Sequence, residues 1–122
     1  MFLIDTHILI WALTEPEKLH QKEIVLLEDI RNEIIVSAAS IWECAIKSGL
    51  GKLNLAENFE AMIGQSGFHI FPIDFESAWR VKSLPSHHGD PFDRLLIATA
   101  EAHHFTIVSR DVIFRQYAVD LF

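Results

Sequence analysis

The chain is short of cysteine, of positive charge and of any long apolar run. Its one cysteine, Cys44, has no internal partner, which excludes a disulfide framework and fits a reducing, cytoplasmic setting. A chain of 122 residues needs no such staple, because at this size folding buries roughly two-thirds of the unfolded surface. Lys and Arg number 10 against 17 Asp and Glu, a net charge of −7. That balance excludes a nucleic-acid binder held by bulk charge alone, and it leaves carboxylates to be gathered around a cation. The opening Met1-Phe2-Leu3-Ile4 is cut off by Asp5, too early for a signal-peptide core. No run approaches the roughly 20 apolar residues that a membrane span needs, so a soluble protein without membrane association is expected. No Ser/Gly/Pro-rich tract and no internal repeat divides the sequence, and residues 1–122 read as a single domain. With 50% hydrophobic and 22% charged residues, disorder is excluded as a description of the whole.

What is present is an alternation of short β-rich runs with longer helical ones. Residues 2–4, 34–36, 69–71 and 106–108 are mostly apolar throughout, as suits strands covered on both faces, and 119–121 reads as a last edge strand. Between them, helices are expected over 8–13, 19–30, 41–47, 56–63, 75–82 and 91–103. In the second, Ile24, Leu27 and Ile30 share an inward face and Glu23, Glu28 and Asp29 point outward. The last is apolar nearly all round and reads as buried. Strands separated by helices predict an α/β fold, a three-layer sandwich around a mainly parallel sheet of four to five short strands. In such sheets the ligand site lies beyond the carboxyl ends of the strands.

Acids fall at those ends. Asp5 follows the first strand and, being costly to bury inside the sheet, sits at its exit, where capping the next helix and serving a site are equally good readings. Glu43 stands three residues after Ser40, the spacing of a capping box, which also holds it in the first helical turn after the second strand. In His88-Gly89-Asp90-Pro91-Phe92-Asp93-Arg94, Asp90 is an N-cap and Pro91 a first helical residue. Asp93 is less well explained by capping, since a first-turn acid gains only about 0.3–1 kcal/mol from the helix dipole. Asp111 closes the exit of the fourth strand. Brought to one edge, these carboxylates would repel and drive at least one toward protonation. Mg²⁺ or Mn²⁺, which prefer oxygen ligands, removes that penalty and is suited to phosphoryl transfer.

At these residues the sequence resembles a PIN domain, specifically the VapC-type toxins of bacterial toxin–antitoxin modules. The matching pieces are Leu3-Ile4-Asp5-Thr6-His7, Ser37-Ala38-Ala39-Ser40-Ile41-Trp42-Glu43, Gly51-Lys52-Leu53-Asn54-Leu55, Asp90-Pro91-Phe92-Asp93-Arg94-Leu95-Leu96-Ile97-Ala98 and Val108-Ser109-Arg110-Asp111. They run in the family's order over almost the whole chain; the ordered set is specific where no single piece is. The resemblance implies a Mg²⁺- or Mn²⁺-dependent ribonuclease with Asp5, Glu43, Asp93 and Asp111 as the acidic metal-site residues. It implies that Thr6 supports Asp5 by hydrogen bonding, that Asp90 and Ser109 are supporting residues, and that the chain forms a homodimer and meets a cognate antitoxin. Arg94, Arg110 and Lys47 lie near the expected edge as a local positive rim for RNA, whereas Lys52 reads as a solvated charge.

Other chemistries are poorly served. The adjacent pairs His87-His88 and His103-His104 lack the i, i+4 spacing of a helical zinc site, and His7 is assigned to helix packing or surface. There is no G-x-S-x-G elbow, Ser66 stands in a loop, and Gly49 and Gly51 precede no Gly-Lys-Ser/Thr. Trp11, Trp42 and Trp79 read as core or dimer surface rather than as base-stacking platforms. Two rivals remain open: a flavodoxin- or receiver-like phosphoacceptor with Asp5 taking the phosphoryl group, and a PIN-like fold kept only for binding.

Overall fold

The computed structural model describes residues 1–122. A three-residue strand, Phe2–Ile4 (β1), passes through Asp5 into helix Thr6–Thr14 (α1). There follow Gln21–Glu28 (α2), Ile34–Ser37 (β2), Ala38–Gly49 (α3), Phe59–Gln65 (α4), His69–Phe71 (β3), Phe75–Arg80 (α5), Pro91–His103 (α6), Thr106–Val108 (β4) and Asp120–Leu121 (β5). Short 3-10 turns at Pro16–Lys18, Val81–Ser83 and Val112–Gln116 fill three of the connections. No helix is long and apolar enough to cross a membrane.

The five strands form one sheet in the order β3-β2-β1-β4-β5, with every pairing parallel. Leu3 lies beside Ile35 and Ile107, and Ile4 beside Val36 and Val108. Because successive strand residues point to opposite faces, this register sorts the core into two layers. Leu3, Ile35 and Ile107 meet Leu96, Ile97 and Ala100 of α6 on one face. Ile4, Val36 and Val108 meet Ile8, Leu9, Leu26, Cys44 and Phe59 on the other. Helices therefore cover both faces, the three-layer arrangement expected from uninterrupted apolar strands.

The strand order reverses at β1. The chain moves outward from β1 to β2 and β3, then returns to the other side of β1 for β4 and β5. A crevice opens where two connections leave in opposite directions, outside the carboxyl ends of β1 and β4. The polar caps of the next elements sit along this edge. Asp5 accepts from the Ile8 amide at 2.8 Å, Ser37 Oγ from the Ala39 amide at 3.0 Å, and Asp111 from the Ile113 amide at 3.0 Å.

Some local expectations are corrected. Helix α3 starts at Ala38 with Ser37 as its cap, so Ser40 is not the N-cap and Glu43 lies in the second turn, not the first. Helix α2 is shorter than 19–30, and its inward face is shifted: Ile30 is 99% exposed, whereas Glu23 is 3% exposed. The Pro16–Lys18 turn delays the start of α2, and His20 then caps it by donating its amide to Glu23 Oε1 at 2.7 Å. With Arg110 as a second partner, the Glu23 carboxylate is satisfied while buried. Of the two readings given for the tryptophans, core or dimer surface, Trp42 and Trp79 take the surface one.

The register makes a direct prediction. Ile107→Ala, at a fully buried position flanking β1, should cost about 2–5 kcal/mol of stability in urea unfolding. Ile30→Ala, outside the core, should change stability by no more than about 0.5 kcal/mol.

Candidate active site

Five elements deliver side chains to the crevice: the exit of β1 (Asp5), helix α3 (Glu43), the 84–90 loop (His88), the first turn of α6 (Asp93), and the exit of β4 (Ser109 and Asp111). Asp5 is buried, and both of its oxygens are engaged. Oδ1 caps α1 through the Ile8 amide, and Oδ2 accepts from the Ser109 hydroxyl. Burial pushes the Asp5 carboxyl upward; the Ser109 and Ile8 hydrogen bonds oppose that push, and the charge of Asp111 adds to it. The structural and functional readings of Asp5 are therefore not alternatives, because one oxygen caps the helix and the other faces the crevice edge.

Glu43 is also buried. Thr6 donates to its Oε1 at 2.7 Å and the Lys47 ammonium sits on its Oε2. The hydroxyl expected to brace Asp5 thus braces Glu43, and Ser109 braces Asp5 in its place. Thr6 is the first residue of α1, one position past Asp5, and its hydroxyl spans to α3. The hydrogen bond to Glu43 raises the Lys47 ammonium pKa further, and the charges of Asp90 and Asp93 add to the effect.

Asp93 is perturbed in the same direction as Asp5. Its pKa is raised to about 6, first by burial, then by the charge of Asp90, with Asp5 and Glu43 adding and His88 opposing. Asp90 accepts from the Phe92 amide at 2.8 Å and fulfils its expected role as the cap of α6. Asp111 is the exposed member, capping the 3-10 turn after β4 while its Oδ2 lies 3.4 Å from His88 Nε2. Cys44 lies behind this edge, but burial and then the adjacent Glu43 push its thiol up to about 11, so it is no nucleophile at neutral pH.

His88 is the site residue that sequence reasoning set aside. Its Nε2 is 2.8 Å from Asp93 Oδ2 and 3.4 Å from Asp111 Oδ2, and the atom is buried without an aligned hydrogen bond to either carboxylate. Nδ1 accepts from the Asp90 amide at 3.1 Å, which leaves the proton of the neutral ring on Nε2. Its main-chain amide donates to Tyr117 Oη at 2.7 Å, and the tyrosine donates in turn to the Pro85 carbonyl at 2.9 Å. A histidine two residues before a capping aspartate was the available signal; Asp93 and Asp111 reach it from α6 and the β4 exit.

The cations of the expected basic rim are already engaged within the protein. The Arg94 guanidinium holds the loop by donating to the carbonyls of Pro85 at 2.8 Å, Val81 at 3.1 Å, His88 at 3.3 Å and Leu84 at 3.4 Å. Arg110 pairs with buried Glu23, its Nε lying 3.2 Å from Oε2, and covers the Trp11 ring at 4.7 Å. Lys47 is bound to Glu43.

A doubly wound, five-stranded parallel sheet with carboxylates converging at its switch point is the arrangement of a PIN domain. The PIN domain family model matches residues 2–120, and the chain belongs to that family. It is similar to Ribonuclease VapC22 of Mycobacterium tuberculosis (strain ATCC 25618 / H37Rv), 30% identical over 118 residues that cover 94% of this chain and 90% of that protein. Among solved structures it resembles a chain of VapBC2 from Rickettsia felis bound to a DNA fragment from the promoter, with TM-score 0.74, 18% identity, and coverage of 99% of this chain and 96% of that one. DNA-bound VapBC from Salmonella typhimurium gives TM-score 0.75, 14% identity, and the same coverage, 99% and 96%. At these identities the structures show a shared fold.

The raised Asp93 pKa fixes the sign of a pH effect. A carboxyl whose folded pKa is about 6 against an ordinary 3.8 binds more protons folded than unfolded between those values, so its stabilisation is present below the lower value and is lost as pH rises through the upper one. In EDTA, the melting temperature should fall between pH 4 and 6, and Asp93→Asn should flatten that fall. An unchanged profile in Asp93→Asn would contradict the assignment.

Proposed function

We propose that this PIN domain is a divalent-metal-dependent endoribonuclease, the toxin of a toxin–antitoxin pair. The observation that carries the reading is the convergence of Asp5, Glu43, Asp93 and Asp111 on one switch point, with Asp93 raised to about 6 by burial and neighbouring charge. The relative named as a ribonuclease and the VapBC-type complexes sharing the fold support it. By the same likeness, a cognate antitoxin and a second copy of the chain are its protein partners, RNA its substrate and the cytoplasm its place of action.

The donor set fits a hard cation. It is composed of carboxylate oxygens whose charge is not fully compensated, and Asp93 and Asp111 place ligand-type oxygens within 4.8 Å of one another. Mg²⁺ or Mn²⁺ held by Asp5, Asp93, Asp111 and Glu43 supplies, when bound, Lewis acidity and positive charge at a scissile phosphodiester. The chain's own residues prepare the place. Ser109 and the Ile8 amide fix Asp5, Thr6 fixes Glu43, and Lys47 shields Glu43 in the metal-free protein. The His88 ring, anchored at Nδ1 by the Asp90 amide, sets Nε2 against Asp93 Oδ2 and so positions that carboxylate. A phosphoacceptor role for Asp5 is disfavoured, because Ile4 rather than a second acid precedes it and Ser109-Arg110 rather than a lysine follows the late strand.

The test is cleavage of a mixed structured-RNA pool by purified protein with Mg²⁺, Mn²⁺ or EDTA, beside Asp5→Asn. Metal-dependent cutting that disappears in a folded Asp5→Asn variant is expected; turnover retained in that variant would sink the reading. His88→Ala, which releases Asp93 from its neighbour, should lower the cleavage rate, and His88→Gln should recover part of the loss through its amide donor. Equal rates in wild type and His88→Ala would remove the histidine from the reaction.

A further inference from the structure

An acidic protein that acts on RNA must hold phosphates by local charge, since interactions beyond about 8 Å are screened at physiological ionic strength. An account of the 10 Lys and Arg side chains shows where such charge is free. Five are paired with carboxylates: Lys18, Arg31, Lys47, Arg80 and Arg110. Arg94 is spent on main-chain carbonyls. Lys22, Lys52, Lys82 and Arg115 remain without a carboxylate within 4.0 Å, and all four are exposed. Lys82 lies over the Trp79 ring and Lys52 follows α3; neither lines the cleft formed by the other two.

The other two share a cleft. A cavity of about 530 Å³ is lined by Lys22 at the start of α2 and Arg115 on the 3-10 turn after β4, together with His20 and Phe122. Its remaining wall includes Ser109 and Asp111, the same residues that form the β4 side of the acidic site. The cleft is thus contiguous with the proposed cutting position. Of its two acids, Glu23 is neutralised by Arg110 and Asp111 belongs to the proposed cation site, so Lys22 and Arg115 are the cations this wall leaves unpaired. The Lys22 ammonium lies 5.5 Å from the centre of the exposed Phe122 ring. Free cations beside a partly exposed aromatic ring are elements from which single-stranded nucleic acid sites are built, the cations taking the phosphates.

We propose that this cleft is the RNA-backbone subsite of the enzyme, receiving the single strand that flanks the scissile phosphate on the Asp111 side, with Lys22 and Arg115 on its phosphates. The proposal rests on the ribonuclease reading and extends it by giving the substrate strand a path. It also relocates the positive rim from Arg94, Arg110 and Lys47 to two residues that no motif singled out.

The test measures binding separately from cutting. Fluorescence anisotropy of a labelled single-stranded RNA is recorded with full-length Asp5→Asn protein in Mg²⁺ over a series of salt concentrations. The same measurement is made after adding Lys22→Gln, Arg115→Gln or both, and after adding Lys52→Gln or Lys82→Gln as controls of equal charge change. Each cleft substitution should reduce the slope of log affinity against log salt by about 0.7, and the pair should weaken binding roughly tenfold at low salt. The controls should leave slope and affinity unchanged. Equal weakening by the controls, unchanged binding in the cleft double variant, or no RNA binding at all would overturn the subsite. Failure of the ribonuclease reading is seen elsewhere, as absence of metal-dependent cutting by the wild-type protein. An unaltered melting temperature in the double variant shows that lost binding is not lost folding.

Discussion

Asp5 and Asp93 are held where burial and neighbouring charge both oppose their ionisation, and much of the surrounding structure is concerned with keeping them there. The parallel sheet brings the exits of β1 and β4 side by side, so the acid that ends one strand faces the acid that ends the other. Hydrogen bonds then fix each member. The Ile8 amide and the Ser109 hydroxyl take Asp5, and Thr6 takes Glu43. The ring of His88 is brought against Asp93 by a loop that Arg94 ties to four carbonyls. Repulsion among carboxylates is a cost to folding that only a compensating cation or proton relieves. Such a cluster is expected where a protein has use for the cation.

The charge economy of the rest of the chain is consistent with this. With a net charge of −7, the protein offers RNA no general attraction. Arg110 and Arg94, near the site in sequence, are consumed in holding α2 and the 84–90 loop. Both tasks suit a planar guanidinium, which donates along several directions at once. Two of the cations left over, Lys22 and Arg115, line the cleft beside Asp111, where on the proposed reading a strand leaving the acids passes. On the proposed reading, specificity for substrate begins with geometry at the crevice, and the field is confined to its immediate surroundings.

The fold was legible because its signals were local. Three-residue apolar runs separated by helical stretches imply a covered parallel sheet, and acids directly after such runs imply an edge where they meet. Asp5, Asp93 and Asp111 were found this way, since each lies within a few residues of a strand exit or a helix start. What was not legible depends on contacts across the chain. Thr6 is adjacent to Asp5 yet bonds Glu43, 37 residues away; Ser109 bonds Asp5 across 104 residues. His88 was dismissed because adjacent histidines do not make a helical metal site, which is true and beside the point, since its partners come from α6 and the β4 exit. The α2 face was misjudged because Glu23 reads as a solvent residue until Arg110 is seen to cover it. Pattern assigns a residue to an element; its partner is set by how the elements pack.

The central claim is that the converging carboxylates form one site whose charge a divalent cation completes. Titrating Mg²⁺ into the protein at pH values below and above the Asp93 pKa, and counting protons released, tests it most directly. The account predicts binding at one site with a proton released near pH 5.5, little release near pH 7.5, and loss of that release in Asp93→Asn, as follows from an acid of pKa about 6. No binding, or proton release that is the same in wild type and Asp93→Asn, would contradict it.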